Sequence, residues 1–191
     1  LDPSNAEVVF PYLIGDDVNS RPDSSASRWV INFFDWTEQR ARLYSKPFEI
    51  VETRVRPERA STPRAARRER WWQYAERAPG MYRAMEHLEN VLTITLTSNA
   101  IAPQRVSAKQ VIDQTAPVFA TDDFADLVAL SSSMHRMFAV KYGTTFGQGF
   151  RYSIRNAFLP FPFPPRTPLL REIGVRFDSQ RREVMRRREF G

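Results

Sequence analysis

The sequence predicts an α+β fold: a twisted, mainly antiparallel sheet flanked by helices, with a helix at its C-terminal end. Three observations carry that reading. The run 91–97 (VLTITLT) consists only of Val, Leu, Thr and Ile, the composition of a strand. Ser61-Thr62-Pro63 and Thr167-Pro168 are helix starts, a hydroxyl cap followed by Pro in the first turn. With 42% hydrophobic and 26% charged residues, the 191-residue chain can bury a core, which argues against wholesale disorder.

The elements follow in order. Residues 7–14 (EVVFPYLI) are apolar and broken by Pro11, as in an edge strand or extended entry. Residues 15–27 read as a loop on composition, and 28–34 (RWVINFF) as a buried strand. Thr37 caps a short helix through Tyr44, and Lys46-Pro47 opens another over 48–55 that Pro57 should end. From Ser61-Thr62-Pro63 one helix is expected to run to Arg77. It would put Trp71, Tyr74, Ala75 and Ala78 on one face and crowd Arg64, Arg67, Arg68 and Arg70 into its first two turns.

A short helix over 81–88 precedes the 91–97 strand, and two further strands fall at 105–112 and 116–120. Asp122-Asp123 caps a helix expected to reach Tyr142, with Phe124, Leu127, Met134 and Phe138 inward. Residues 146–153 read as extended, while 159–165 (LPFPFPP) can be neither central strand nor helix, because Pro lacks a donor and fixes φ. In the last helix the apolar positions Leu170, Ile173, Phe177 and Val184 thin out toward a basic end, as if it had lost part of what it packs on. With no initiator Met before Leu1, the chain reads as a piece of a longer protein, with a domain over 1–164 and the start of a helical segment over 165–191.

Composition narrows the function. With no Cys, disulfide scaffolds, thiol catalysis and Cys-based zinc sites are excluded. His87 and His135 lie far apart with no ligand spacing around either, so no metal site is expected. No apolar run approaches the roughly 20 residues of a membrane span. No hydrolase elbow, zincin helix or phosphate-binding lysine loop is present, so no catalytic residue is expected. The stretch 144–150 (TTFGQGF) has the spacing of a methyltransferase cofactor loop. It lacks the strand before and helix after that such a loop requires, so no cofactor is expected in this chain.

The charge is more telling. Of 28 basic residues only Lys46, Lys109 and Lys141 are Lys; the rest are Arg, and the net charge is +6. Arg binds phosphate and the guanine edge bidentately, so a basic, Arg-rich, aromatic-rich domain points first to nucleic acid. The bland alternative is codon bias plus solvated helix faces. Likewise Arg64, Arg67, Arg68 and Arg70 form either a solvated face or a phosphate track, and Trp71-Trp72 either core or a base-stacking pair.

In combination, RPD…SRWVI, VRPER…RRERWWQ, VLTITLTSNAI, VFATDDFADLVALSSSMHRMFAVKYGT and FRYSIRNAFLPFPFP span nearly the whole chain in order. They resemble the target recognition domain of MmeI-like (type IIL) DNA adenine-N6 methyltransferases and bifunctional restriction–modification enzymes of bacterial phage defence. The resemblance implies a domain that selects the sequence on double-stranded DNA. Adenine methylation would belong to the parent's separate methyltransferase domain, with S-adenosylmethionine there and Mg2+ only if a nuclease is fused. It implies a cytoplasmic protein with no membrane partner.

By position, the resemblance places base reading in two late regions. The first offers Thr95, Thr97, Ser98, Asn99, Gln104 and Arg105; the second offers Gly147, Gln148 and Gly149. Many relatives carry an acidic and a basic residue where this chain has Gly147 and Gly149, so its site would differ or be read through backbone and Gln148. Phosphate contacts are expected from Arg64, Arg67, Arg68, Lys109, Lys141, Arg151 and Arg155. The competing expectation, from a different class, is a basic protein-interaction or scaffold module with no sequence-specific reading.

Overall fold

In the computed structural model, described for residues 3–98, 100–146 and 149–189, the chain is of the α+β class. It divides into two compact units, Leu1–Pro11 with Arg28–Gly80, and Tyr12–Ser27 with Met81–Gly191.

Unit 1 opens with a 3-10 turn, Pro3–Glu7, leading into β1 (Val9–Leu13), beside which lies β2 (Arg28–Ile31). Three helices follow, α2 (Glu38–Ala41), α3 (Ser45–Ala60) and α4 (Ala65–Glu69); α1 (Gly15–Ser20) lies in unit 2. Their common core is Val8, Phe33, Ala41, Phe48, Val51 and Trp71, with the Phe48 and Trp71 rings edge to face at 5.3 Å. Thr37 caps α2 as expected, accepting from the Arg40 amide.

Three expectations fail in unit 1. The strand read as buried over 28–34 is only β2, with Arg28 and Trp29 exposed. Two helix ends differ, and one contact accounts for much of both. α3 does not end at Pro57 but runs on to Ala60. Arg59, beyond the proline, donates to the carbonyls of Trp71 and Gln73, which ties this last turn to the core. The long helix expected through Arg77 is only α4. Its continuation is broken because the Trp71 and Gln73 carbonyls serve Arg59, while Trp72 Nε1 (2.9 Å) and Gln73 Nε2 (2.8 Å) both donate to the Trp36 carbonyl. Tertiary hydrogen bonds override helix propensity here.

Unit 2 contains α1 (Gly15–Ser20), formed within the stretch read as loop and held by Asp17, whose carboxylate accepts from the Ile14 and Ser27 amides. α5 (Pro79–Met85) leads from the unit boundary to β3 (Asn90–Thr93), the centre of an antiparallel sheet between β5 (Gln104–Ser107) and β7 (Val118–Phe119). Its register pairs Val91 with Val106 and Leu92 with Phe119. Successive strand residues face opposite sides. Val91 packs with Leu13, Val18 and Val106, and Leu92 with Ile94, Leu127 and Tyr152, so both faces of β3 are covered. That is why 91–95 is an unbroken buried run rather than an alternating one.

The expected strand over 105–112 is two strands, β5 and β6 (Val111–Ile112), and β6 pairs in parallel with the Tyr12 and Leu13 end of β1. The pairing with β6 begins after Pro11, the residue with no N–H to give. A third antiparallel sheet orders β4 (Thr97–Ser98), β9 (Gly149–Arg151) and β8 (Thr144–Phe146). The strands thus form several short sheets, not one.

The helix expected over 123–142 is two, α6 (Phe124–Ser131) and α7 (Ser133–Tyr142). Ser132 makes the break: its hydroxyl donates to the Ala129 carbonyl and accepts from the His135 amide, capping α7. The interruption resets the helical phase, so His135 and Ala139 turn inward and Met134, expected inside, is 73% exposed.

His135 is fully buried. Its Nδ1 lies 2.7 Å from the Leu130 carbonyl, which can only accept, so the proton sits there and Nε2 accepts from the Tyr152 hydroxyl at 2.9 Å. Burial holds the imidazole pKa below its ordinary value, only partly opposed by the Leu130 carbonyl. A depressed folded-state pKa means that the unfolded chain binds more protons at mildly acid pH. Stability is therefore full above about 6.5 and falls as pH drops below it. We expect a lower urea midpoint at pH 5 than at pH 7.5, and His135→Gln to remove that slope. An equal slope in the variant assigns the acid sensitivity elsewhere.

The proline-rich stretch 159–165, irregular as expected, follows a π-helical turn, Ile154–Phe158. Just beyond that stretch Arg166 is pinned to buried Asp126 (Nη2 2.8 Å, Nε 3.0 Å), which also accepts from the Thr121 hydroxyl. α8 (Pro168–Arg188) begins at the expected Thr167-Pro168 start. Ile173, Phe177 and Val184 face outward, without a hydrophobic cluster to pack on among the described residues, and the docked stripe is Gly174 and Asp178. A Cβ at Gly174 would lie 2.2 Å from the Phe124 carbonyl oxygen, so glycine is what lets α8 approach α6. Among the described residues no helix is long and apolar enough to cross a membrane.

Candidate nucleic-acid interface

The two late regions, about fifty positions apart in sequence, are neighbours in unit 2. β4 pairs with β9 so that Thr97 opposes Arg151 and Ser98 opposes Phe150, and β9 pairs with β8 through Phe146 and Gly149. Directly opposed residues on antiparallel strands share one face. Thr97 and Arg151 are both exposed, a hydroxyl and a guanidinium side by side on an open sheet surface. Beneath them the sheet is anchored: the Tyr152 amide donates to the Leu96 carbonyl at 2.8 Å, and the Tyr152 ring is buried against Phe119 and His135. Burial pushes the Tyr152 phenol pKa well up, so it stays a neutral donor to His135.

The other expected base readers divide. Ser98 is half-buried, its hydroxyl accepting from the Ala100 amide. Asn99, Gly147 and Gln148 lie outside the described residues, while Gly149 begins β9 beside them. Thr95 and Gln104 have geometry that leaves no free end for a base, and Arg105 is partly engaged. Thr95 is buried, donating to the Gly15 carbonyl. Gln104 is buried with its amide spent, Nε2 on the Val18 carbonyl and Oε1 accepting from Ser24. Arg105 lies over the Phe124 ring (4.9 Å) and 4.0 Å from Asp122, its side chain about a quarter exposed. Alternation along β5 places Gln104 toward the interior. The sequence displays a polar side chain after a loop but not the partners waiting for it.

The expected phosphate contacts fall in both units. In unit 2, Lys141 is exposed at the end of α7, and Arg155 is exposed on the π-helical turn that follows β9. Lys109 is paired with Glu89 at 2.8 Å, an exposed pair of little energetic weight.

In unit 1, Arg68 turns back on its own loop, donating to the Thr62 and Pro63 carbonyls. Arg64 and Arg67, by contrast, line a cleft together with Arg70 and Arg77 and with Arg59, which sequence spacing does not bring near them. Arg59 belongs to α3, across the Ser61–Pro63 break, and Arg77 ends the expected helix, most of which does not form. Burial, and then the charge of Arg67 among its neighbours, hold the Arg59 pKa below its ordinary value. Trp71 is core and Trp72 half-buried with its indole N–H satisfied, so neither is free to stack on a base.

The stretch 144–150 follows helix α7 and contains β8 and the start of β9, a strand pair with neither the preceding strand nor the following helix of a cofactor loop. No protein-family model matches the chain, and no curated protein matches it.

Proposed function

We propose that this chain is the sequence-reading domain of a bacterial, cytoplasmic, S-adenosylmethionine-dependent DNA adenine-N6 methyltransferase or fused restriction–modification enzyme, and that it binds duplex DNA. The observation that carries the reading is the meeting of 97–98 with 149–151 in one sheet, with Thr97 and Arg151 exposed as cross-strand partners. Arg reads guanine O6 and N7 in the major groove, and Thr meets either a base edge or a thymine methyl. The net charge of +6 supplies sequence-independent attraction to phosphate. Methyl transfer requires an extruded adenine in a catalytic pocket, which falls to the parent's methyltransferase domain.

Selection from a randomised duplex pool with the purified chain tests this. Enrichment of one motif is expected, with the Thr97→Ala/Arg151→Ala variant losing preference at one or two positions by about 1–3 kcal/mol each. Binding without an enriched motif overturns sequence reading. That outcome favours the second reading, a protein-interaction module, for which the exposed Met134, Met137 and Val140 on α7 are the specific support.

A further inference from the structure

We propose that the arginine cleft of unit 1 is a binding site for a phosphoryl oxyanion, built to take a single tetrahedral group. Its cavity, about 140 Å³, is lined by Arg59, Arg64, Arg67, Arg70 and Arg77. That volume is several times what one water needs and well below the roughly 300–1,000 Å³ of pockets that engulf a drug-sized molecule. An inorganic-phosphate-sized group fits such a space.

The charge is unbalanced. Glu76 is the acid lining the cavity, and none of the five arginines forms an ion pair with a carboxylate among the described residues. Elsewhere in the chain arginines pair readily, as Arg42, Arg56, Arg166, Arg171 and Arg182 do. Gathering like charges around one concavity is unfavourable unless an anion completes it.

Arg67 adds an independent sign. Its Nε is buried and has no hydrogen-bond partner. A desolvated donor on a charged group costs free energy when left unmade. A bound oxyanion is the acceptor that this fork matches bidentately.

The cleft is also pre-organised. Arg59 is held by the Trp71 and Gln73 carbonyls, and Gln73 by the Trp36 carbonyl, so this wall is fixed before any ligand arrives. Fixed donors lose less entropy on binding than surface lysines do. The phosphoryl group has two possible sources: a phosphodiester of duplex DNA, in which case the inference rests on the reading above, or a free phosphorylated small molecule.

Calorimetric titration of the full chain with inorganic phosphate, against chloride at equal ionic strength, tests the site. R64Q/R67Q should weaken phosphate binding at least tenfold, and R67K, which keeps the charge but loses the fork, should fall between. Circular dichroism confirms that each variant is folded, and R68Q, outside the cleft, is the matched control. Absent phosphate binding in the wild type, or equal binding by R64Q/R67Q, overturns the proposal.

The second arm measures duplex affinity against salt. Loss of two backbone contacts lowers the log–log slope by about 1.8. That loss, with the selected motif unchanged, supports the site with DNA as its source. Phosphate binding that R64Q/R67Q weakens, with an unaltered duplex slope, supports the site with a free phosphorylated ligand. Failure of motif selection leaves both phosphate outcomes readable, so the two proposals fail separately.

Discussion

Asp178→Ala is expected to destabilise the fold by about 3 kcal/mol, read as a lower urea midpoint at unchanged slope in far-ultraviolet circular dichroism. The Asp178 side chain is 10% exposed and lies 2.8 Å from Arg182 Nε and 3.4 Å from Arg181 Nη2. Arg181 reaches on to the Pro103 carbonyl and Arg182 to the Arg105 carbonyl, so this triad is what fastens α8 to the loop before β5 and to β5 itself. Burial already holds the Arg181 pKa below its ordinary value, with Asp178 opposing the shift. Removing the carboxylate leaves two guanidiniums partly desolvated and mutually repelling, which is why breaking such a pair costs more than the pair contributes. Arg187→Ala, which breaks the exposed pair with Glu183, should leave the midpoint unchanged. An Asp178→Ala variant as stable as wild type means that α8 is not held through this triad.

Trp71→Ala should cost about 3–5 kcal/mol, the range for deleting a large buried aromatic. Its indole is 6% exposed, meets Phe48 edge to face and carries the Arg56 guanidinium 5.2 Å from the ring centroid. Its carbonyl is one of the two that hold Arg59, so the cavity left behind loosens the arginine cleft as well. The four tryptophans, Trp29, Trp36, Trp71 and Trp72, all lie in unit 1, so indole fluorescence reports unit 1 specifically. The fluorescence midpoint should fall in Trp71→Ala, and Trp71→Phe should recover part of the loss. A fluorescence transition that does not move would place Trp71 outside the core.

Local signals in the sequence reach the elements whose causes are local. Thr37, Asp123 and Thr167 cap helices because their side chains accept from amides two or three residues on. The Val, Leu, Thr and Ile run supplies β3 for similar reasons of composition. The class, α+β with a C-terminal helix, follows from those elements. What composition does not display is a side chain reaching across the fold. Arg59 meets carbonyls of residues 71 and 73, and Trp36 offers its carbonyl to residues 72 and 73; those contacts turn a strongly helical sequence into an irregular one. Ser132 is legible in principle, since three consecutive serines compete for the backbone, but the apolar spacing on either side hides the change of phase.

The candidate site divides along the same line. Arg64 and Arg67 stand out as an arginine cluster, whereas Arg59 joins them only through the fold. Thr95 and Gln104 look available as sequence and are occupied in space, because burial and its partners are set by residues such as Gly15 and Val18 far along the chain.

The chain passes between its two units at Pro11, at Arg28 and at Gly80, so each is assembled from separated segments. On a ribosome the first strand must wait: Tyr12 and Leu13 are synthesised long before Val111 and Ile112, their parallel partners. Closing so long a loop precedes any reward from the pairing, the condition that makes a topology fold slowly. Neither unit can be excised as one contiguous fragment, and a cut at any single point within 12–80 interrupts a segment that one of them needs. The Tyr12–Leu13 edge therefore stays without its β6 partner until residues 111–112 have been made, a delay set by connectivity rather than by composition.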